Sequence, residues 1–449
     1  MGMLGLAFAV VFLLTAFVVL SSCGHSPLGC NEEERHGLQW IKGSFKDPSS
    51  WLSSWEEEDC CQWKGVVCSN ITGYIVKLDL RNPCFPRRNQ GGQPNCDFNK
   101  YVLKAKHAHP SILQLKYLTY LDLSGNKFNS SIPMFIQTME HLQFLSLSDC
   151  HFSGRIPYNL GNLTKLLLLD FSFNPLLYAD DFYWISQLPS LQYLYMRDVH
   201  LGKTRNLLQA LSMLPSLIEI ELRNCGLNKL HTYQLVRATN CGSNAFKGYI
   251  YLGLTENKRG YISCGSVLVE GTSTRFKENK GGYIPCGALL ATRSNTNLSQ
   301  VEVLNLEENK LQAPILNAFQ NMSSIAEIEF SFNNLSSTPF WLGTYSNLVY
   351  LSVENNALYG SLPSTLQNLT SLIYLDLSEN NFDSVPSWLG ELKGLQYLYL
   401  SGNDLKHIEG SLASFLGNCC HLHSLDMSSN NLKGDALGVY IQYGCIRYD

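Results

Sequence analysis

The sequence predicts an α/β repeat fold: a solenoid of short repeats, each adding one strand to a single parallel, concave β-sheet, with a disulfide-pinned N-terminal cap. Three observations predict it. An apolar pattern returns every 23–27 residues, and the segment before the first full repeat concentrates cysteine and tryptophan. The 449 residues are 45% hydrophobic but only 16% charged, with a net charge of −4. So mild a balance gives no reason to expect a nucleic acid or an anionic membrane as partner.

The repeat is legible in Ser371–Phe382, SLIYLDLSENNF. Leu372, Leu375, Leu377, Asn380 and Phe382 follow L-x-x-L-x-L-x-x-N-x-L, the leucine-rich-repeat signature. Its first apolar position recurs at Leu118, Leu142, Leu166, Leu191 and Leu217, then at Val301, Ile325, Leu348, Leu372, Leu395 and Leu422. The L-x-L step is a strand, so alternate side chains face opposite ways. Leu375 and Leu377 point into the stack, while Tyr374, Asp376 and Ser378 point out. The asparagine turns the chain off the strand and its amide satisfies backbone groups there. Asn126, Asn174, Asn309, Asn333, Asn356, Asn380, Asn403 and Asn430 hold that place, with Cys150, Cys225 and Val199 as exceptions. Repeats share one core, so none is stable alone.

The first residues form an apolar run, Leu4 to Leu20, followed by small residues, which predicts a secretory signal peptide over 1–24. An uncleaved anchor is the alternative, because the run is long and no Lys or Arg precedes it. Seven N-x-S/T sequons, at Asn70, Asn129, Asn162, Asn297, Asn321, Asn334 and Asn368, point the same way as glycosylation sites. In an oxidising compartment, the fifteen cysteines read first as disulfides. Cys30, Cys60, Cys61 and Cys68 lie in the cap, with Trp40, Trp51, Trp55 and Trp63. They allow three pairings, although adjacent Cys60 and Cys61 are poor partners for each other. Zinc is the competing reading, and no matching second ligand pair supports it, so no metal is expected. Cys84 and Cys96 suggest a local bridge. His107 and His109, in KHAHP, are two loop histidines and make a weak metal site.

From Asn240 to Thr296 the period disappears. Leu217 and Val301 stand 84 residues apart; without the 57 residues of 240–296 the step becomes an ordinary 27. This insert holds seven basic and three acidic residues, and a near-duplicate, ENKRGYISCG and ENKGGYIPCG. It reads as a disordered loop or a gene-model artefact, with a folded ligand-holding island as the alternative. The expected organisation is a signal peptide at 1–24, a cap at 25–82, and a loop with a first irregular repeat at 83–117. Repeat block 1 follows at 118–239, the insert at 240–296, and block 2 at 297–449. Block 2 is expected to be truncated, without a C-terminal cap.

DPSSWLSSW, DCCQWKGVVCSNITGYIVKLDLRN, FSGRIP (152–157) and LYGSLP (358–363) closely resemble plant leucine-rich-repeat receptor-like proteins, nearest the ethylene-inducing-xylanase receptors. The resemblance covers about residues 1–239 and 297–449. It implies Cys30–Cys60 and Cys61–Cys68 bridges in a plant-type cap. It also implies cell-surface sensing of a peptide or protein ligand, in defence or elicitor perception, with signalling through a co-receptor or adaptor kinase. The chain itself carries no Gly-rich loop, H-R-D or D-F-G of a kinase. After the signal sequence no run of about 20 apolar residues provides a membrane anchor. The expected location is the secretory pathway, then the outer face of the plasma membrane if a longer form is anchored, and otherwise the apoplast. A secreted inhibitor resembling polygalacturonase-inhibiting proteins is the alternative; a nonfunctional fragment is a third.

No catalytic constellation or cofactor motif is present, and an enzyme is not expected. The outward strand positions carry the functional signal instead. Tyr120, Phe144, Tyr193, Tyr350, Tyr374 and Tyr397 precede the second leucine of their repeats. Aromatic rows flanked by charge suit binding surfaces, giving large contact area at low entropic cost. Asp122 and Asp376 belong to the repeat consensus and say little. Tyr193, Tyr195, Arg197, Glu219, Glu221, Arg223, Glu307, Glu327, Glu329, Tyr350 and Glu354 depart from it and form the expected ligand-binding strip. Cross-strand Arg–Glu pairing is the structural alternative for the first of these. The excess of acids favours a basic or mixed polar ligand.

Overall fold

The computed structural model describes residues 29–85, 96–204, 206–227, 234–237, 249–256, 262–269, 298–312, 319, 322–410, 415, 422–432 and 440–442. The expected signal peptide, Asn297 and Asn321 lie outside these.

Fourteen strands form one sheet in chain order, from Val66–Cys68 and Ile75–Asp79 at one end to Ser424–Asp426 and Tyr440–Gln442 at the other. Every pairing between the two end pairs is parallel. The strands are three residues long through the repeats, with the middle residue buried in each. Burial is continuous from Leu38 in the cap to Leu432 in the last repeat, so one apolar core runs the length of the stack. The chain returns behind the sheet mainly through short 3-10 turns such as Met134–Thr138, Tyr158–Asn162 and Ser364–Asn368. Leu207–Ser212 is an α-helical exception.

The asparagines act as expected, and they act between repeats. Asn126 Nδ2 donates to Leu80 O and Leu123 O, both at 2.8 Å, so it joins its own turn to that of the repeat before. Asn174, Asn309 and Asn380 repeat the pattern. Cys150 and Cys225 substitute with a thiol donor, their Sγ atoms 3.1 Å from Leu123 O and 3.0 Å from Met196 O. The residue just before this position has positive φ in all eleven repeats, whether Gly125 (71°), Asp198 (62°) or Phe173 (58°). A β-carbon there costs roughly 1–2 kcal/mol, so the ladder outweighs local preference at Phe173 and Phe332.

The cap closes the first repeat. Helix Glu32–Ser44 starts at Asn31, whose side chain accepts from the N–H groups of Glu33 and Glu34. Cys30–Cys60 and Cys61–Cys68 are both bridged, as is Cys84–Cys96. The sulfurs of Cys30, Cys60 and Cys61 cluster within 4.8 Å, and the bridges rather than a metal account for that. Trp55 and Trp63 stack at 5.5 Å and, with Trp51, are buried. Trp40 differs: it is 65% exposed, with its ring stacked 6.5 Å from that of His109. His109 caps the turn Pro110–Gln114 by accepting from Ser111 N–H, a structural task in place of metal binding. Glu34 is buried and accepts from Ile75 N–H at 2.8 Å, tying the cap helix to the first long strand.

The two repeat blocks join as one. Glu219–Glu221 pairs in parallel with Val303–Asn305, and Asn309 reaches back to Leu222 O at 2.8 Å. The insert is therefore outside the stack. Tyr249–Glu256 and Ile262–Val269 lie within it and, with Gln234–Arg237, make a separate three-stranded antiparallel sheet where an unstructured loop was expected. Its remaining residues lie outside the described set. Deleting 240–296 should leave folding intact, changing stability by about 1 kcal/mol through the shorter connection. Matching thermal melts of the two secreted chains would agree; loss of secretion after deletion would show that the insert supports the stack.

At the far end, Tyr440–Gln442 pairs antiparallel with Ser424–Asp426. The edge of the last repeat strand is thus paired, and Tyr440–Gln442 becomes the edge of the sheet in its place. The first strand, Val66–Cys68, likewise pairs antiparallel and forms the edge at the other end.

Candidate functional site

The concave face is built from the residues flanking each buried strand leucine. Their neighbours come from other repeats, one register step away, so each side chain's freedom is set by the adjacent strands. Along this face the structure separates the expected strip into three regions with different character.

At the N-terminal end the polar groups satisfy one another. Tyr120 stacks on Phe144 at 4.0 Å, and Lys77 Nζ lies 4.2 Å over the Tyr120 ring. Arg81 Nη1 is 3.6 Å from Asp122 Oδ2 and Nη2 is 3.4 Å from Asp79 Oδ2. Burial, with Asp79 adding to it, raises the Asp122 carboxyl to about 6, against the pull of Arg81.

The middle is where the structure corrects the sequence reading. Tyr193 and Tyr195, expected as exposed anchors, are only 6% and 5% exposed, their rings 6.5 Å apart. Burial, then Glu219 and Glu302, raises the Tyr193 phenol. Arg197 lies 4.8 Å over the Phe173 ring. Arg223 forks onto two acids across the junction of the blocks, with Nη1 2.9 Å from Glu307 Oε2 and Nη2 2.7 Å from Glu308 Oε1. The Arg–Glu pairing left open by the sequence is thus real for Arg223, with Glu307 and Glu308 as partners. Glu219 and Glu221 flank Ile220 on their strand and are half-buried. These residues brace the face more than they present it.

The third region begins at Glu327 and Glu329. Tyr350 donates to Glu329 Oε2 at 2.8 Å and stacks on Tyr374 at 4.4 Å. Tyr374 meets Tyr399 at 5.4 Å and Tyr397 at 6.1 Å, and Tyr397 meets His423 at 5.8 Å. This aromatic run crosses three neighbouring strands and ends at His423, just before the fourth, and Tyr397 is 37% exposed. Asp376 accepts from Ser378 N–H at 2.9 Å and from the Tyr374 hydroxyl at 3.3 Å. Burial raises Glu327; burial, then Asp376, Glu329 and Glu379, raises Glu354. Burial also pushes Glu307 up to about 7, against Arg223 and helped by Glu329. Among the described residues no lysine or arginine forms an ion pair with Glu327, Glu329, Glu354 or Asp376. Tyr374, Tyr397, Tyr399, Asp376 and His423 were left out of the expected strip. Aromatic recurrence before the second leucine was the signal for Tyr374 and Tyr397, and consensus status masked Asp376.

Asn70, Asn129, Asn162, Asn334 and Asn368 are all exposed, as glycan acceptors must be. No helix among the described residues is long and apolar enough to cross a membrane.

A parallel sheet of three-residue strands, stitched by asparagines and closed by a disulfide-pinned cap, defines a leucine-rich-repeat protein. The family Leucine rich repeat matches residues 346–405, a second Leucine Rich Repeat family matches 117–139, 141–163 and 394–419, and Leucine rich repeat N-terminal domain matches 31–69. The chain has the leucine-rich-repeat fold, and its similarity is to plant receptor-like proteins. Receptor-like protein EIX1 of Solanum lycopersicum is 38% identical over 229 residues, which is 49% of this chain and 21% of that protein. Receptor-like protein EIX2 of the same plant is 39% identical over 151 residues, 33% of this chain and 14% of that protein. These matches thus span about a fifth or less of the relatives' length. The crystal structure of a TDR receptor aligns over 73% of this chain and 45% of its own, with TM-score 0.50 and 22% identity, which shows a common fold.

Proposed function

We propose that the chain is a ligand-recognition ectodomain of a plant cell-surface receptor-like protein, non-enzymatic, binding a peptide or protein on its concave face. The observation that carries this reading is the run of aromatic rings and acids from Glu327 to His423. It offers large rigid side chains with polar tips on a preorganised sheet, the composition that recognition surfaces favour. Three disulfides and five exposed sequon asparagines support an extracellular setting. The sequence resemblance to ethylene-inducing-xylanase receptors is what points to a role in defence or elicitor perception, with a partner kinase transmitting the signal.

The test is binding of the secreted chain to an array of random dodecapeptides, compared with Glu329→Lys and with the convex-side variants Asn162→Gln and Asn368→Gln. Saturable binding that Glu329→Lys weakens at least about tenfold, while both convex variants bind like the parent, is the expected result. A folded chain that binds no peptide above background would overturn the reading.

A further inference from the structure

The tripeptide Tyr-Leu-Asp forms a strand of the sheet twice, as Tyr120–Asp122 and as Tyr374–Asp376. Each copy pairs in parallel with the strand before it, and the registers correspond: Lys77 lies opposite Tyr120 and Asp79 opposite Asp122, as Tyr350 lies opposite Tyr374 and Ser352 opposite Asp376. Two residues further along stand Arg81 in the first case and Glu354 in the second.

In the first copy the chain supplies its own cations. Lys77 sits over the tyrosine ring, and Arg81 bridges Asp122 and Asp79. In the second copy those two places are taken by Tyr350 and Glu354. The carboxylate of Asp376 therefore faces more aromatic surface and more acid, with no basic ion-pair partner among the described residues. The same framework that holds a guanidinium in one repeat is charge-inverted in another.

We propose that the second copy takes its cation from the ligand: Glu354, Asp376 and Glu329, beside the Tyr350–Tyr374–Tyr397 rings, bind an arginine or lysine side chain. This rests on the reading of the chain as a peptide-binding ectodomain and adds the side-chain class that it selects. A guanidinium takes the place that Arg81 fills in the first copy, donating to Asp376 and Glu354. The exposed Tyr397 ring offers its face to the same charge. Arginine suits this better than lysine, because its planar fork can meet two carboxylates at once.

The probes are argininamide and its neutral isostere citrullinamide, titrated onto the secreted chain and followed by tyrosine fluorescence. Argininamide is expected to bind saturably and at least about tenfold more tightly than citrullinamide. Glu354→Arg, which recreates the Arg81 arrangement, should fill the site from within and weaken argininamide binding at least about tenfold. Asp376→Asn should weaken it too while keeping the turn, since Asn305 occupies the same strand position and accepts from Glu307 N–H at 3.0 Å. Both variants should melt like the parent. Equal binding of the two amides, or parent-like argininamide binding by correctly folded Glu354→Arg, would overturn the proposal. Should arrayed neutral peptides bind the concave face while argininamide does not, the receptor reading stands and the cation site falls.

Discussion

Asn309→Ala is expected to destabilise the stack by about 3–5 kcal/mol, the sum of a few buried groups left unpaired at roughly 1–3 kcal/mol each and partly relaxed. Its amide donates to Leu222 O at 2.8 Å, Leu306 O at 3.0 Å and Glu307 O at 3.1 Å. Its Oδ1 accepts from Cys225 N–H at 3.1 Å and Leu227 N–H at 3.0 Å. Alanine leaves several of these groups buried and unpaired, each worth roughly 1–3 kcal/mol before relaxation. The place matters as much as the count. Asn309 ties two blocks that are adjacent in space while the chain between them leaves the stack. In a solenoid each repeat is held by its neighbours, so weakening this joint should split urea unfolding into two transitions. Asn309→Cys should cost less, because Cys150 and Cys225 already fill the equivalent place with a thiol donor. A single transition with a parent-like midpoint in Asn309→Ala would show that the ladder carries little of the stability.

Opening the cap disulfides is expected to have the next largest effect. Cys30–Cys60 closes 30 residues and Cys61–Cys68 closes 7. On a loop-entropy basis they stabilise by about 3–4 and about 2–3 kcal/mol respectively. The shorter bridge has a second role, since Cys68 ends the strand that pairs antiparallel at the edge of the sheet. Cys61→Ser and Cys68→Ser should therefore both lower secreted yield sharply, and Cys30→Ser should lower it further. Parent-like secretion and melting of all three would mean that Trp55, Trp63 and the Asn31-capped helix hold the cap without help.

The amino-acid sequence by itself determined what repeats along it. The spacing of leucines and asparagines placed the strands and the inter-repeat ladder. The broken period showed that a segment leaves the stack, although Gln234–Arg237, ahead of the expected boundary, already pairs with it. Cysteines and tryptophans marked the cap. Such features are local, because a residue's turn in the repeat decides whether it faces the core. Only the tertiary structure decided what becomes of the outward residues. Tyr193 and Tyr350 hold the same place in their repeats, yet one is buried and the other takes part in an aromatic run reaching the surface at Tyr397. Arg223 pairs with Glu307 and Glu308, more than 80 residues away in sequence and one strand away in space. Asp122 and Asp376 sit in identical tripeptides, but Arg81 neutralises only the first. The reason is physical. A strand side chain is surrounded by those of the strands on either side, so its exposure and charge balance belong to three repeats at once.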